Sequence, residues 1–223
     1  VPTDADVVEV IEQQVVRLAR PGTWLTGAQR AAVVDRARRA MDAHTVDPGP
    51  TPDPGPTPDP ARAAAPAPPE PLFDAARRVA AAASSITRAW VDGLEDRGLS
   101  RLAYVAVVGL VARVAAIDAY AWATDRPRWP RPAPTDGQPS RAVVDDARQR
   151  SAWVPIVGAA GATTAVSAVA AELRERGALS AVLYLDDEDV GRAADGGGDR
   201  DGLRRHHLEV VAVRTSYRND CFY

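Results

Sequence analysis

Two proline-dense stretches set the limits on how this chain can fold. From Asp47 to Pro60 the sequence runs through Pro-Gly-Pro-Thr-Pro-Asp twice, and prolines recur as far as Pro71. Proline lacks an amide hydrogen and clashes with the preceding turn, so the stretch excludes helix and favours a solvated, extended polyproline conformation. It reads as a linker or long insertion, a spacer rather than a docking site for a proline-recognition module. Pro127, Pro130, Pro132, Pro134 and Pro139 make a second break, and the glycine- and aspartate-rich residues 193–202 a third, flexible one. The breaks divide the chain into an N-terminal helical segment (1–45), a Pro-rich linker (46–72), a central helical pair (73–126), a linker with a short helix (127–150) and a C-terminal helical segment (151–223).

Between the breaks the apolar period is helical. Val7, Val8, Ile11, Val15 and Leu18 recur at spacings of three and four, with Asp4 or Asp6 placed to cap the start and Pro21-Gly22 to end the run. Thr26 caps a second helix over 27–43, in which Ala31, Val34 and Ala37 or Arg38 share a face and the arginines of the other face read as solvated surface. Residues 73–94 and 99–124 read as a helical pair joined at Arg97-Gly98, with Ser100 as the second cap. The second of these helices is apolar nearly all round, which predicts a central helix enclosed by the others. Asp118 within it then needs a partner such as Arg113 or water. Residues 181–185 are the only short apolar run with a β character, and Gly158-Ala159-Ala160-Gly161 reads as a flexible entry to a helix ending near Arg176. The fold class is all-α.

Composition removes several functions. Every basic residue other than histidine is arginine, yet the formal net charge is −3, so the basic surplus of a nucleic-acid surface is missing. The single cysteine forms no internal disulfide and reads as a thiol of a reduced, cytoplasmic protein. Val1-Pro2-Thr3-Asp4 has neither the positive region nor the apolar run of a secretory signal. A bilayer span needs about 20 apolar residues. Residues 102–123 carry Arg113 and Asp118, and 151–171 are mostly small residues around Pro155, so neither stretch predicts membrane insertion.

The residues with chemical potential lie at the end of the chain. On a helix advancing about 100° per residue, Glu209 falls in an arc with Leu208, Ala212 and Val213, and Ser216 nearly beside it. Two readings fit. Burial on that arc raises the carboxyl pKa and makes Glu209 a proton carrier near neutral pH; alternatively Arg205, four residues earlier, makes an exposed ion pair with it of little energetic worth. Cys221 follows the capping residues Asn219-Asp220. A helix beginning there places the thiol in its first turn, where free amides and the helix dipole favour the thiolate; the plain alternative is a buried, inert cysteine. A break before Asn219 is needed for Glu209 and Cys221 to converge, because one straight helix leaves them about 120° apart. His206, His207 and Glu209 do not predict a metal site, since adjacent histidines point to different faces. His44 precedes Cys221 by the same interval as Val33-Val34 precedes Val210-Val211, a faint trace of an internal repeat.

Glu209, Arg214 and Asn219-Asp220-Cys221-Phe222-Tyr223 together resemble the catalytic segment of the carboxymuconolactone decarboxylase and alkylhydroperoxidase D-like superfamily. Its redox-active members carry a glutamate on one helix and a Cys-x-x-Cys with a nearby histidine at the start of the next. Glu209 and Cys221 match the glutamate and the first cysteine, and the second cysteine and the histidine would fall beyond Tyr223. Gly22-Thr23-Trp24-Leu25-Thr26-Gly27, the run from Tyr104 to Ala112, and Ala152-Trp153-Val154-Pro155 are also similar to longer members.

The resemblance implies a helical bundle of alkylhydroperoxidase D-like type, an antioxidant peroxidase chemistry, no cofactor, and assembly into homo-oligomers. Cys221 would attack a peroxide and become a sulfenic acid, a second thiol would resolve it, and an external dithiol partner would restore the pair, with Glu209 moving protons. With its redox motif incomplete at Tyr223, the chain is expected to be a fragment, inactive as it stands. Two other functions stay open at this point: a thiol-independent decarboxylase-like proton transfer by Glu209, and a non-catalytic helical oligomer.

Overall fold

The computed structural model describes residues 2–44, 69–184 and 205–218. Among them regular structure is helical: α1 (Asp4–Arg17), α2 (Gly27–His44), α3 (Glu70–Ala81), the short α4 (Arg88–Asp92), α5 (Arg101–Ala123), α6 (Ala170–Leu183) and α7 (Arg205–Arg218). Local chemistry sets the helix starts. Thr3 caps α1 and Asp6 returns the bond in a capping box; Thr26 and Gln29 do the same for α2, with Gln29 N donating to Thr26 Oγ1 at 3.2 Å and Thr26 N to Gln29 Oε1 at 2.9 Å. Ser100 caps α5, accepting from Ala103 N. The expected caps at Thr26 and Ser100 are present, while at α1 the cap is Thr3 and the aspartate is its partner.

α5 packs against α2, α3 and α6, and α1 packs against α6. The core between them contains Ile11, Leu18, Val33, Val34, Leu72, Val107, Leu110 and Ile117, all essentially sealed from solvent. By length and by a mean hydropathy of 1.9 α5 resembles a bilayer span, but 61% of that window is buried in the bundle, the setting of a core helix. Its enclosure is incomplete: Ala112 and Ala119 are exposed, and Trp122 is 82% exposed.

Several expectations change. Residues 73–94 do not form one helix. At Ala82 the backbone leaves the helical region (φ −149°, ψ 41°), a 3-10 turn follows over Ala83–Ser85, and Thr87 caps the separate α4. Serine and threonine hydroxyls compete for backbone groups and divide a helix in this way: Ser85 Oγ donates to Ala82 O at 2.6 Å and Thr87 Oγ1 accepts from Trp90 N at 3.2 Å. α3 begins at Glu70, ahead of Pro71, because a proline costs nothing in the first turn, where its missing amide hydrogen has no helical partner. Residues 181–183 of the β-like run continue α6, which passes Arg176 and ends at Leu183; Tyr184 is extended and Leu185 lies outside the described residues.

The second proline break is an ordered strap, without the short helix expected in 127–150. Thr135 N donates to Ala19 O at 3.0 Å, Ser140 N to Gly22 O at 3.2 Å and Arg141 N to Thr23 O at 2.9 Å, tying the strap to the α1–α2 turn. Gly27 permits the approach: a Cβ there would stand 2.3 Å from Thr135 O and 2.6 Å from Ala19 O.

Candidate functional site

Of the two residues singled out at the end of the sequence, Glu209 alone is among the described residues. Glu209 lies on α7 and is exposed, as are Ala212 and Val213 beside it. Of the two readings of Glu209, the partial burial of its carboxylate is not found. Cys221 and the break at Asn219 lie outside the described residues. His206 and His207 are both exposed, with ring centroids 4.0 Å apart, and no group of three or more metal-ligating side chains occurs among the described residues.

The structure assembles a different set of charges. Glu172 enters from the first turn of α6 and is 2% exposed, facing Arg30 of α2 (3%) and Arg113 of α5 (3%). Arg30 Nη1 donates to Glu172 Oε1 at 2.6 Å, and Arg113 Nη2 donates to Glu172 Oε2. Gly109, one turn before Arg113, makes the crossing possible, since a Cβ on it would stand 2.7 Å from Glu172 Cβ. Arg113 Nη1 reaches Gln14 Oε1 at 3.4 Å, and Gln14 Nε2 and Arg17 Nη1 each donate to Glu175 Oε2 at 2.7 Å. The network thus links α1, α2, α5 and α6 and reaches the surface at Arg17.

Burial lowers the pKa of Arg113 against the opposing pull of Glu172, the direction expected for a cation withdrawn from water. Burial pushes Glu175 upward, but the hydrogen bonds from Arg17 and Gln14 and the charge of Arg113 outweigh it and hold that carboxyl below its usual value. The Nε atoms of Arg30 and Arg113 are buried without a protein partner. Chemically the network is a closed set of paired charges; its inner members have no surface from which to meet a substrate.

A second cluster centres on Asp118. Arg38 holds it with both prongs, Nε to Oδ2 at 2.9 Å and Nη2 to Oδ1 at 2.8 Å, and Arg128 Nε lies 3.2 Å from Oδ2. Arg113 is not the partner; its position one turn and a residue away on α5 turns it toward Glu172 instead. Burial pushes the Asp118 carboxyl up against the pull of the two arginines.

The described residues also form an open, largely apolar groove of about 330 Å³ between the start of α5 and residues 151–154. Val91, Tyr104, Val105, Val108, Trp153 and Val154 line it. Burial drives the Tyr104 phenol up to about 12, so it stays neutral at physiological pH.

Sequence reasoning missed Glu172 and Arg30. Arg30 was assigned to a solvated face, and Glu172 sits in an alanine-rich run with no distinguishing spacing. One signal was available: Gly109 and Arg113, four apart on a helix expected to be central, mark a close helix approach beside a buried cation that needs a carboxylate. No family model, curated protein or solved structure matches the chain.

Proposed function

We propose that the chain is a thiol-dependent, peroxidase-like antioxidant oxidoreductase of the alkylhydroperoxidase D-like kind, with Cys221 as the peroxidatic residue and Glu209 as its proton partner. The order of residues from Glu209 to Asn219-Asp220-Cys221-Phe222-Tyr223 carries this reading. The helical conformation of Arg205–Arg218, which puts Glu209 on a helix ahead of that thiol, supports it.

The expected inactivity follows from the missing second thiol of the motif; an external dithiol that supplies both resolving sulfurs lets the chemistry balance with Cys221 alone. The Cys221 thiolate attacks one peroxide oxygen, the O–O bond breaks, and the departing alkoxide takes a proton to leave as an alcohol. Sulfur is oxidised by two electrons to the sulfenic acid while the peroxide is reduced. One thiol of the external reductant then condenses with the sulfenic acid, forming a mixed disulfide and releasing water. Its second thiol displaces Cys221 and leaves as the reductant's disulfide. Glu209 takes the proton from the thiol and delivers it to the leaving oxygen.

The test is peroxide-dependent loss of the free thiol, followed by trapping of the sulfenic acid with a dimedone-type nucleophile. Cys221 is expected to be labelled only after peroxide, Cys221→Ser to abolish labelling, and Glu209→Gln to slow it about a hundredfold. A thiol indifferent to peroxide overturns the proposal. Turnover of a lactone acid that survives Cys221→Ser and is lost in Glu209→Gln replaces it with thiol-independent proton transfer.

A further inference from the structure

The walls of the groove between α5 and residues 151–154 are fastened in place. The backbone of 151–154 is held from two helices: Arg88 of α4 donates through Nη2 to Ser151 O at 3.3 Å, and Arg101 of α5 through Nη1 to Trp153 O at 2.8 Å. Across the base of the same loop, Arg148 and Ile156 exchange backbone hydrogen bonds of 2.9 and 3.0 Å. The opposite wall is the first two turns of α5, with Tyr104, Val105 and Val108, and Val91 of α4 adjoins it. One polar group inside this frame is unspent. Tyr104 is 6% exposed, and Trp90 packs edge-on against its ring at 5.7 Å between centroids, yet its hydroxyl makes no hydrogen bond with any other described residue. A buried phenol ordinarily has a partner. The hydroxyl is not sealed in the core, and Tyr104 lines the groove, so its donor and acceptor capacity is open to that space.

We infer that the groove binds a small, neutral, mostly apolar molecule with one oxygen function, its hydrocarbon part against Val91, Val105, Val108 and Val154 and its oxygen hydrogen-bonded to the Tyr104 hydroxyl. Charge selects for neutrality. Tyr104 is the only ionisable residue in the lining, and burial keeps its phenol protonated, with a pKa of about 12. A charged ligand would give up its water there and meet no counter-charge. Size agrees as well: about 330 Å³ lies at the small end of the roughly 300–1,000 Å³ of ligand sites, which pair an apolar lining with a few placed polar groups. The inference stands independently of the thiol chemistry proposed above.

The test titrates the full chain with 1-octanol, and with octanoate as its charged counterpart, followed by tryptophan fluorescence because Trp153 stands in the lining. 1-Octanol is expected to bind saturably with a Kd on the order of 1 mM or below, and octanoate at least about tenfold more weakly. Tyr104→Phe is expected to weaken the alcohol about fivefold, the worth of one hydrogen bond, and to leave the melting temperature unchanged, since the hydroxyl has no partner in the fold. Val108→Phe, which fills the groove, is expected to abolish binding. No saturable binding, equal binding of octanoate, or undiminished binding in either variant overturns the inference. A lowered melting temperature in Tyr104→Phe also overturns it, because the hydroxyl is then spent within the protein.

Discussion

Glu172 lies between two guanidinium groups with 2% of its surface open to water. Taking three charges out of water is costly, and the geometry repays that cost only while all three are present. Glu172→Ala leaves Arg30 and Arg113 facing each other without an anion, and a loss of about 3–5 kcal/mol in unfolding free energy is expected by denaturant titration. Replacing the whole set (Glu172→Leu, Arg30→Met, Arg113→Met) is expected to cost less than Glu172→Ala alone, because no buried charge is then left uncompensated. Similar losses in the two variants would show that the ions are held for packing rather than for charge. Gly109 belongs to the same argument. Its Cβ would stand 2.7 Å from Glu172 Cβ, so Gly109→Ala, ordinarily favourable inside a helix, is expected to destabilise by about 1–3 kcal/mol through overpacking.

At the scale of elements, the strap is held by its backbone. Gly27→Ala would put a methyl 2.3 Å from Thr135 O, and the strap must lift for α2 to keep its start. Proteolysis within residues 127–150 is expected to quicken in this variant, with the melting temperature falling; an unchanged cleavage rate would show that the strap is not seated through Gly27. The helices themselves were legible. Apolar residues at three- and four-residue spacing located α1, α2 and α5, because one buried face is enough to impose that period, and the hydroxyl caps at Thr26 and Ser100 fixed two starts. The strap was not legible, because Pro130, Pro132 and Pro134 exclude helix without specifying whether extended chain is free or hydrogen-bonded through the residues around them. The division of 73–94 was also hidden: Ala82, Ala83, Ser84 and Ser85 are compatible with helix by composition, and only the bonds of Ser85 and Thr87 settle the conformation.

Across the whole molecule, the charge network decides how the fold responds to acid, and little of it was visible beforehand. Arg30 and Arg38 sit among other arginines of α2 that read as surface, and their partners Glu172 and Asp118 lie 142 and 80 residues away; a pairing over such separations leaves no local spacing to find. Asp118 was recognised as needing a partner, but the polar demand of a buried group does not say which element answers it. Glu175 makes the consequence measurable. Its folded-state pKa is held below the ordinary value of 4.5, so the ionised carboxylate favours the folded chain. That stabilisation is fully present above about pH 5, and it disappears as pH falls through the lowered folded-state value. Glu175→Gln removes the titrating group while leaving an acceptor for Gln14 and Arg17. The variant is expected to be less stable than the parent at neutral pH and to lose less on acidification, so the two stability curves draw together below pH 4.5 in urea titrations run across pH. Parallel curves would mean that Glu175 carries no share of the acid sensitivity.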